Sequence, residues 1–220
     1  MTVDDVRRAL ALPRPGRTAQ VRMSPRPRPG DIYPLPPGTK LKEAGVLILL
    51  FPGQDDLHFF LTKRTDTVET HKGQISLPGG SQEDDETLAQ TALRETSEEL
   101  GIEIECIQVL GEPLSSVYIP ISGFRVTPFV AFTPVRPTLV AQPGEVLEII
   151  EMPLKVLTDE KAIGEETWDF RGIKMIVPFF AINGHQVWGA TGMILGEFSA
   201  MLQQVEGSIE VDTRGIDGIS

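Results

Sequence analysis

One stretch of this chain, a two-glycine loop followed by an acidic helix, constrains the fold more than any other segment. The loop is Leu-Pro-Gly-Gly at residues 77–80, and apolar residues recur at helical spacing over residues 85–100. Asp84 or Asp85 is placed to cap the start of this helix. Gly101 follows its last residue, at the position where a residue with a left-handed backbone commonly ends a helix. The sequence therefore predicts a strand end, a tight loop and a helix in immediate succession.

Three glutamates fall on one face of the predicted helix. Glu95, Glu98 and Glu99 are separated by three and four residues, so their carboxylates lie side by side. Each like-charge pair costs roughly 0.2–0.5 kcal/mol, and the helix dipole opposes each negative charge by roughly 0.3–1 kcal/mol. A solvated acidic face is one interpretation. The alternative is a hard divalent cation, and the glycine loop favours it because glycine lets a backbone carbonyl turn inward as a further oxygen ligand.

The same segment resembles the Nudix box. That pattern is Gly, five residues, Glu, seven residues, Arg-Glu, an aliphatic residue, any residue, Glu-Glu, any residue, Gly and an aliphatic residue. It is met from Gly80 to Ile102, with Thr96 at the first aliphatic position. The resemblance implies an α/β/α sandwich with a central mixed sheet between helices. It also implies hydrolysis of a nucleoside diphosphate linked to another moiety, with Mg²⁺ or Mn²⁺.

Position in the box also implies a role for each residue. The implied metal ligands are three carboxylates and one backbone carbonyl, those of Glu95, Glu98, Glu99 and Gly79. Glu95 is in addition a candidate for positioning or deprotonating the attacking water. Arg94 would orient Glu95, and Glu86 would support the loop. A further acid from outside the box is expected at Glu145, with Glu148 second, and a structural role is the alternative for both.

The segment before the loop is similar to the extra signature of the coenzyme A pyrophosphatase branch of this family. Thr62, Arg64, Gly73 and residues 78–80 fit that signature, whereas Glu69 replaces an expected arginine. CoA carries a diphosphate and a 3′-phosphate, so cationic groups are expected near the entry to the site. The candidates are Arg64, His71 and Lys72. The alternatives are that Arg64 caps a strand edge, that Lys72 is solvated and that His71 is an incidental loop residue.

Three functional hypotheses follow. The leading one is hydrolysis of CoA or acyl-CoA to 3′,5′-ADP and a 4′-phosphopantetheine derivative. The second is a Nudix pyrophosphatase for ADP-ribose, dinucleotides or damaged nucleoside triphosphates. The third is a non-catalytic Nudix domain that senses a nucleotide or scaffolds a partner. Loss of a box glutamate would favour the third, and all the box glutamates are present.

Composition divides the chain into an N-terminal arm (1–42), a hydrolase domain (43–205) and a flexible Gly-rich tail (206–220). Residues 1–40 hold eight of the 18 prolines, which predict an extended arm after a short helix capped by Thr2 and Asp5. The arm is interpreted as a packing arm or linker. A contact with an anionic ligand, or with a second subunit in a homodimer, is the alternative.

Charge and composition exclude several other classes of protein. The net charge is −11, and residues 1–40 carry eight basic and three acidic residues, so the rest of the chain carries −16. An acidic body disfavours nucleic-acid binding. The single cysteine, Cys106, excludes an internal disulfide. We find no apolar run of the roughly 20 residues that a membrane span requires and no signal peptide, so a cytoplasmic protein is expected.

Hydrophobic patterning predicts the remaining elements. They are strands over 45–51, 57–63, 102–110, 126–132 and 145–151, a helical turn over 153–157, a hairpin of 177–180 with 185–188, and a helix over 190–205.

Overall fold

A mixed eight-stranded sheet lies at the centre of the computed structural model. The structure describes residues 1–28, 36, 38–65, 74–170 and 172–214, and for residues 208–214 it describes the backbone alone. The strands of this sheet are β1 (Lys42–Pro52), β2 (Leu57–Arg64), β3 (Ile75–Ser76), β4 (Gly79–Ser81), β5 (Gln108–Val109), β6 (Val117–Ile119), β7 (Phe124–Phe132) and β8 (Val146–Pro153). The order is β3-β2-β1-β7-β5, with β4 also on β1, β6 on β7 and β8 on β2. The β1–β7 pair is parallel and the other pairs are antiparallel.

Helices and a smaller sheet surround this centre. The helices are α1 (Val3–Leu10), α2 (Arg17–Gln20), α3 (Leu88–Leu100) and α4 (Gly189–Arg214), and the small antiparallel sheet comprises β9 (Ile163–Phe170), β10 (Ile173–Ile182) and β11 (His185–Val187). Short 3₁₀ turns occupy Val21–Met23, Ile104–Cys106, Leu154–Leu157 and Glu160–Ala162. No helix in the described ranges combines the length and apolarity needed to cross a membrane. The expected cytoplasmic location stays a prediction.

The central strand β1 is apolar on both faces because a layer of helix covers each one. Its residues Leu47, Leu49 and Phe51 share a buried cluster with Ala92 and Leu100 of α3. The alternate residues of β1 belong to a second, larger cluster on the opposite face, which includes side chains of α1, α4 and the small sheet. A strand buried on both sides is typical of a sheet between two layers. The predicted α/β/α sandwich is therefore confirmed.

Helix α3 begins three residues later than predicted. Its N-cap is Thr87, not Asp84 or Asp85, because Thr87 and Gln90 form a reciprocal capping box in which each side chain accepts from the other residue's backbone N–H. Asp85 instead has a left-handed backbone with φ of 69° in the preceding turn. The helix ends as predicted at Gly101, where φ is 66°.

Other boundaries also differ from the predictions. The strand predicted over residues 102–110 is reduced to Gln108–Val109, because this edge segment begins with a 3₁₀ turn and pairs with β7 only at its end. Strand β9 was not predicted, since its acid-rich sequence lacks a clear apolar alternation. Helix α4 continues nine residues beyond its predicted end at Val205, into the segment predicted as a tail. The turn at residues 154–157 and the hairpin at Asn183–Gly184 are confirmed.

The N-terminal segment packs against the domain. Helix α1 is capped by Thr2 as predicted, and Val6 and Ala9 are fully buried. Met23 joins the same core cluster as α4. The buried apolar side chains of residues 1–28 hold this segment against the core rather than extended from it.

A buried glutamate fastens this segment to α4. Glu197 is 0% exposed, and its carboxylate accepts hydrogen bonds from the backbone N–H of Gly16 (3.1 Å), the side-chain amide of Gln20 (2.8 Å) and the N–H of Ser115 (3.2 Å). A buried carboxylate is tolerated when several donors replace the water it loses. Glu197 therefore joins three separate parts of the chain.

We predict that Glu197→Ala lowers the free energy of unfolding by about 2–4 kcal/mol, because it leaves buried donors without an acceptor. Glu197→Gln is the matched control, since its carbonyl keeps one acceptor and should cost less. Urea denaturation measures both variants. Equal stability of the alanine variant and the wild type would contradict this role.

Candidate active site

Close backbone contacts place α3 against β1 and β4. A Cβ atom added at Gly45 would lie 2.3 Å from the carbonyl oxygen of Leu88, so glycine in β1 lets the first turn of α3 pack directly on the strand. A Cβ atom added at Gly80 would lie 2.3 Å from the carboxyl carbon of Glu95. Gly79 has φ of 147°, which side-chain-bearing residues rarely adopt. The glycines thus bring the Glu95 carboxylate against the loop.

Arg94 connects three acidic side chains. Its Nε and Nη2 donate to the two carboxylate oxygens of Glu86 at 3.1 and 2.9 Å, and its Nη1 donates to Glu95 at 3.0 Å and Glu98 at 3.3 Å. These hydrogen bonds hold the pKa of Glu86 at about 2, with the Arg94 contact as the largest cause. The same contact raises the pKa of Arg94. The arginine therefore keeps its charge and has its donors committed to this network.

Thr91 is a member of this network that the sequence did not indicate. Its side chain is 0% exposed, and its hydroxyl donates to Glu86 Oε1 at 2.8 Å. The backbone N–H of Glu83 donates to the same oxygen at 2.8 Å. A buried threonine inside a helix resembles an ordinary packing residue. The contact exists because the capping box at Thr87 leaves Glu86 in the loop, where it folds back on the helix.

Glu99 is the most buried carboxylate of the site. Its side chain is 3% exposed, and Oε1 lies 3.9 Å from Nη1 of Arg64. Within the described part of the chain, Oε2 has no hydrogen-bond partner. Burial raises the pKa of Glu99 to about 8; Arg64 and the backbone amide of Gly79 oppose this increase, whereas Glu95 and Glu145 add to it.

The charge of Glu145 acts on Glu95. Burial raises the pKa of Glu95, hydrogen bonding to Arg94 opposes the increase, and the charges of Glu98 and Glu145 add to it. The backbone N–H of Thr65 donates to the carbonyl of Glu145 at 3.0 Å, just beyond an irregularity in the β2–β8 pairing.

The second outside candidate, Glu148, has a different neighbour. It lies 3.6 Å from Nε2 of His185 in β11. Of the two outside acids, the structure brings Glu145 to the box glutamates.

Some predicted residues are not brought together. The side chain of Glu98 is 54% exposed and points to Arg94. Across the ranges that the structure describes, no three His, Cys, Asp or Glu side chains stand close enough to hold one metal ion. Joint ligation by Glu95, Glu98 and Glu99 therefore stays a prediction. His71 and Lys72, with Glu69 and Gly73 of the signature, lie outside the described residues.

Oε2 of Glu99 nevertheless fits a hard cation. Oε2 of Glu99 is an oxygen ligand shielded from water and from hydrogen-bond donors in the described ranges, and the nearby acids repel its charge. A divalent cation with a preference for oxygen, such as Mg²⁺ or Mn²⁺, would satisfy that oxygen and offset the repulsion.

Comparison with known proteins matches this chain to one family. The family model described as the NUDIX domain matches residues 41–171. Chloroplastic Nudix hydrolase 22 of Arabidopsis thaliana is 34% identical over 178 residues, covering 74% of this chain and 56% of the relative. The Nudix hydrolase NudL of Photorhabdus laumondii is 34% identical over 146 residues, covering 65% of this chain and 76% of the relative. The chain thus spans little more than half the length of the Arabidopsis protein.

A solved structure has a similar fold. A Caenorhabditis elegans Ap4A hydrolase in a binary complex superposes with a TM-score of 0.51 at 18% sequence identity, covering 74% of this chain and 99% of that chain. At this identity the likeness concerns the fold alone.

We predict that the metal-free protein loses stability as pH rises. Burial raises the pKa of Glu99 in the folded state to about 8, whereas a free glutamate has a pKa near 4.5. Below pH 4.5 both states hold the proton. Between these values only the folded state does, so each rise in pH favours unfolding.

In EDTA, the melting temperature of the wild type should fall between pH 5 and pH 8. This fall should exceed that of Glu99→Gln by on the order of 5 °C. Calorimetry across this range measures both proteins. Parallel curves for the two would contradict the prediction.

We also predict that Thr91→Val raises the pKa of Glu86 and lowers stability by about 1 kcal/mol, because Glu86 loses one donor while the side-chain shape is kept. Carboxyl NMR titration follows Glu86 directly. Thr91→Ser keeps the hydroxyl and is the control. An unchanged Glu86 titration in the valine variant would show that Thr91 acts through packing alone.

Proposed function

This chain belongs to the Nudix family, and from that premise we propose that it hydrolyses the diphosphate linkage of a nucleotide derivative with the help of a divalent cation. The observation that carries the proposal is the buried Oε2 of Glu99, which has no hydrogen-bond partner within the described ranges, beside a second box carboxylate on the same helix. A helix selected for stability alone would not bury a polar oxygen without a partner there.

The residues that would hold Mg²⁺ or Mn²⁺ are Glu95, Glu98, Glu99 and the carbonyl of Gly79. When bound, such an ion neutralises the diphosphate, polarises phosphorus and lowers the pKa of the attacking water. For Glu98 to contribute, its exposed side chain must leave Arg94, whose other hydrogen bonds to Glu86 and Glu95 can persist.

Glu95 is the candidate for the residue that positions or deprotonates the attacking water. Its Oε1 accepts from Arg94, which supports this role by fixing the carboxylate. Burial raises the pKa of Glu95, so this carboxylate holds a proton more readily than an exposed glutamate. Arg94 fixes its orientation, Glu86 fixes Arg94, and Glu145 supplies a further negative charge near the same atoms.

We propose CoA or acyl-CoA as the substrate, cleaved to 3′,5′-ADP and a 4′-phosphopantetheine derivative. Thr62 and Arg64 of the CoA-type signature lie on β2, and the Pro-Gly-Gly part of that signature leads into β4 beside Glu95. Arg64 offers a planar guanidinium next to the acidic site, which suits a phosphate group. With a net charge of −11, the chain needs such local cations to receive a polyanion.

One observation favours a different substrate of the same class. Glu69 stands where the CoA signature has an arginine, so one expected phosphate contact has the opposite charge. ADP-ribose carries a diphosphate but no 3′-phosphate, so it would need fewer cationic contacts than CoA.

Product analysis distinguishes these substrates. Purified protein incubated with CoA and Mg²⁺ or Mn²⁺ should yield 3′,5′-ADP and 4′-phosphopantetheine, and chelation of the metal should stop the reaction. Chromatography resolves the products, with ADP-ribose in a parallel reaction. Intact CoA beside consumed ADP-ribose would favour the alternative substrate class.

We predict that Glu99→Gln lowers kcat by roughly a hundredfold or more while the fold survives, because it removes a charged ligand from a buried position. Glu103→Gln, an exposed change just past the helix, is the control and should retain activity. Undiminished turnover in Glu99→Gln would contradict the proposed role of this residue. Absence of turnover in the wild type, with ligand binding unaltered in Glu99→Gln, would instead support a non-catalytic, nucleotide-sensing domain.

A further inference from the structure

Arg64 faces the least accessible acid of the site. Its side chain at the end of β2 is 27% exposed, and Nη1 lies 3.9 Å from Oε1 of Glu99. Within the described part of the chain, Arg64 is the one basic side chain in an ion pair with Glu99, since Arg94 pairs instead with Glu86, Glu95 and Glu98. Glu99 thus has a protein cation at the edge of contact distance.

We propose that Arg64 is a built-in competitor of the divalent cation at Glu99. Its guanidinium faces the Glu99 carboxyl group while the site holds no ion, and it turns to a substrate phosphate when the ion is bound. This inference rests on the proposed function, because it requires a cation at Glu99.

Charge and geometry support this double role. A guanidinium and a divalent ion that share one carboxylate repel each other, and the repulsion is strong where little water intervenes. The 3.9 Å separation is longer than a direct hydrogen bond, so little is lost when the arginine moves away. The Arg64 backbone is held by its N–H bond to the carbonyl of Gln74 at 3.1 Å, which leaves the long side chain as the moving part.

Metal affinity distinguishes a competitor from a positioning residue. Loss of an ordinary positioning residue weakens metal binding, whereas loss of a competitor strengthens it. In the complete system, a phosphate that draws Arg64 away should strengthen metal binding, and the metal should strengthen phosphate binding by the same factor. Arg64 would then couple the arrival of the substrate to that of the ion.

The neighbouring residue provides a charge-matched control. Lys63 carries the same charge at the adjacent position of β2, and side chains of a strand alternate between the two faces of the sheet. Its backbone partners are Ile75 of β3 and Glu148 of β8, and no ion pair joins it to Glu99 in the described ranges. Arg64→Gln and Lys63→Gln therefore change the net charge equally. Any difference between them depends on the position of the charge and not on its loss.

The test is an isothermal titration calorimetry experiment in which Mn²⁺ alone is added to the full chain. Arg64→Gln should bind Mn²⁺ about fivefold more tightly than the wild type, or better. Arg64→Lys, which keeps the charge, and Lys63→Gln should stay within about twofold of the wild type. Arg64→Met, which keeps the apolar stem, is measured in parallel, so that misfolding of the glutamine variant leaves a second neutral replacement.

Two results would overturn the proposal. One is unchanged or weaker Mn²⁺ binding in the neutral Arg64 variants, which would make Arg64 a supporting residue. The other is equal tightening in Lys63→Gln, which would reduce the effect to net charge. A wild type that binds no Mn²⁺ would instead refute the proposed function itself, so the two failures are distinguishable.

Discussion

The burial of the Glu99 carboxylate beside other negative charges is the constraint on which the rest of the site depends. A charge removed from water is costly unless another group replaces the solvent. Here an arginine lies at the limit of ion-pair distance, and one oxygen has no hydrogen-bond partner in the described ranges. The helix keeps this unfavourable arrangement because packing fixes its position on the sheet. Such a site gains most from a cation.

Local backbone chemistry explains how the helix is held there. Gly45 and Gly80 permit contacts that any side chain would block, and Thr87 ends the loop with a capping box. The cap leaves Glu86 outside the helix, where it accepts from Arg94 and Thr91. Arg94 in turn holds Glu95. A chain of short contacts thus runs from the loop to the proposed base.

Local patterns in the sequence predicted much of this arrangement. The spacing of the glutamates and the glycine at residue 101 identified the helix and its end, because both depend on residues within one or two turns. The helix start was wrong because Asp84, Asp85 and Thr87 are all good caps, and the reciprocal capping box of Thr87 with Gln90 selects Thr87. The contacts of Thr91 with Glu86 and of Arg64 with Glu99 depend on how distant segments meet, which periodicity does not encode.

The position of a bound ion tests whether Oε2 of Glu99 is a metal ligand. Crystals grown with Mn²⁺ and measured for anomalous scattering should show a peak about 2.1 Å from Oε2 of Glu99, with Glu95 in the same coordination sphere. A fully occupied peak bound elsewhere on the chain, with Oε2 of Glu99 still without a partner, would contradict the central claim that this buried oxygen is a metal ligand.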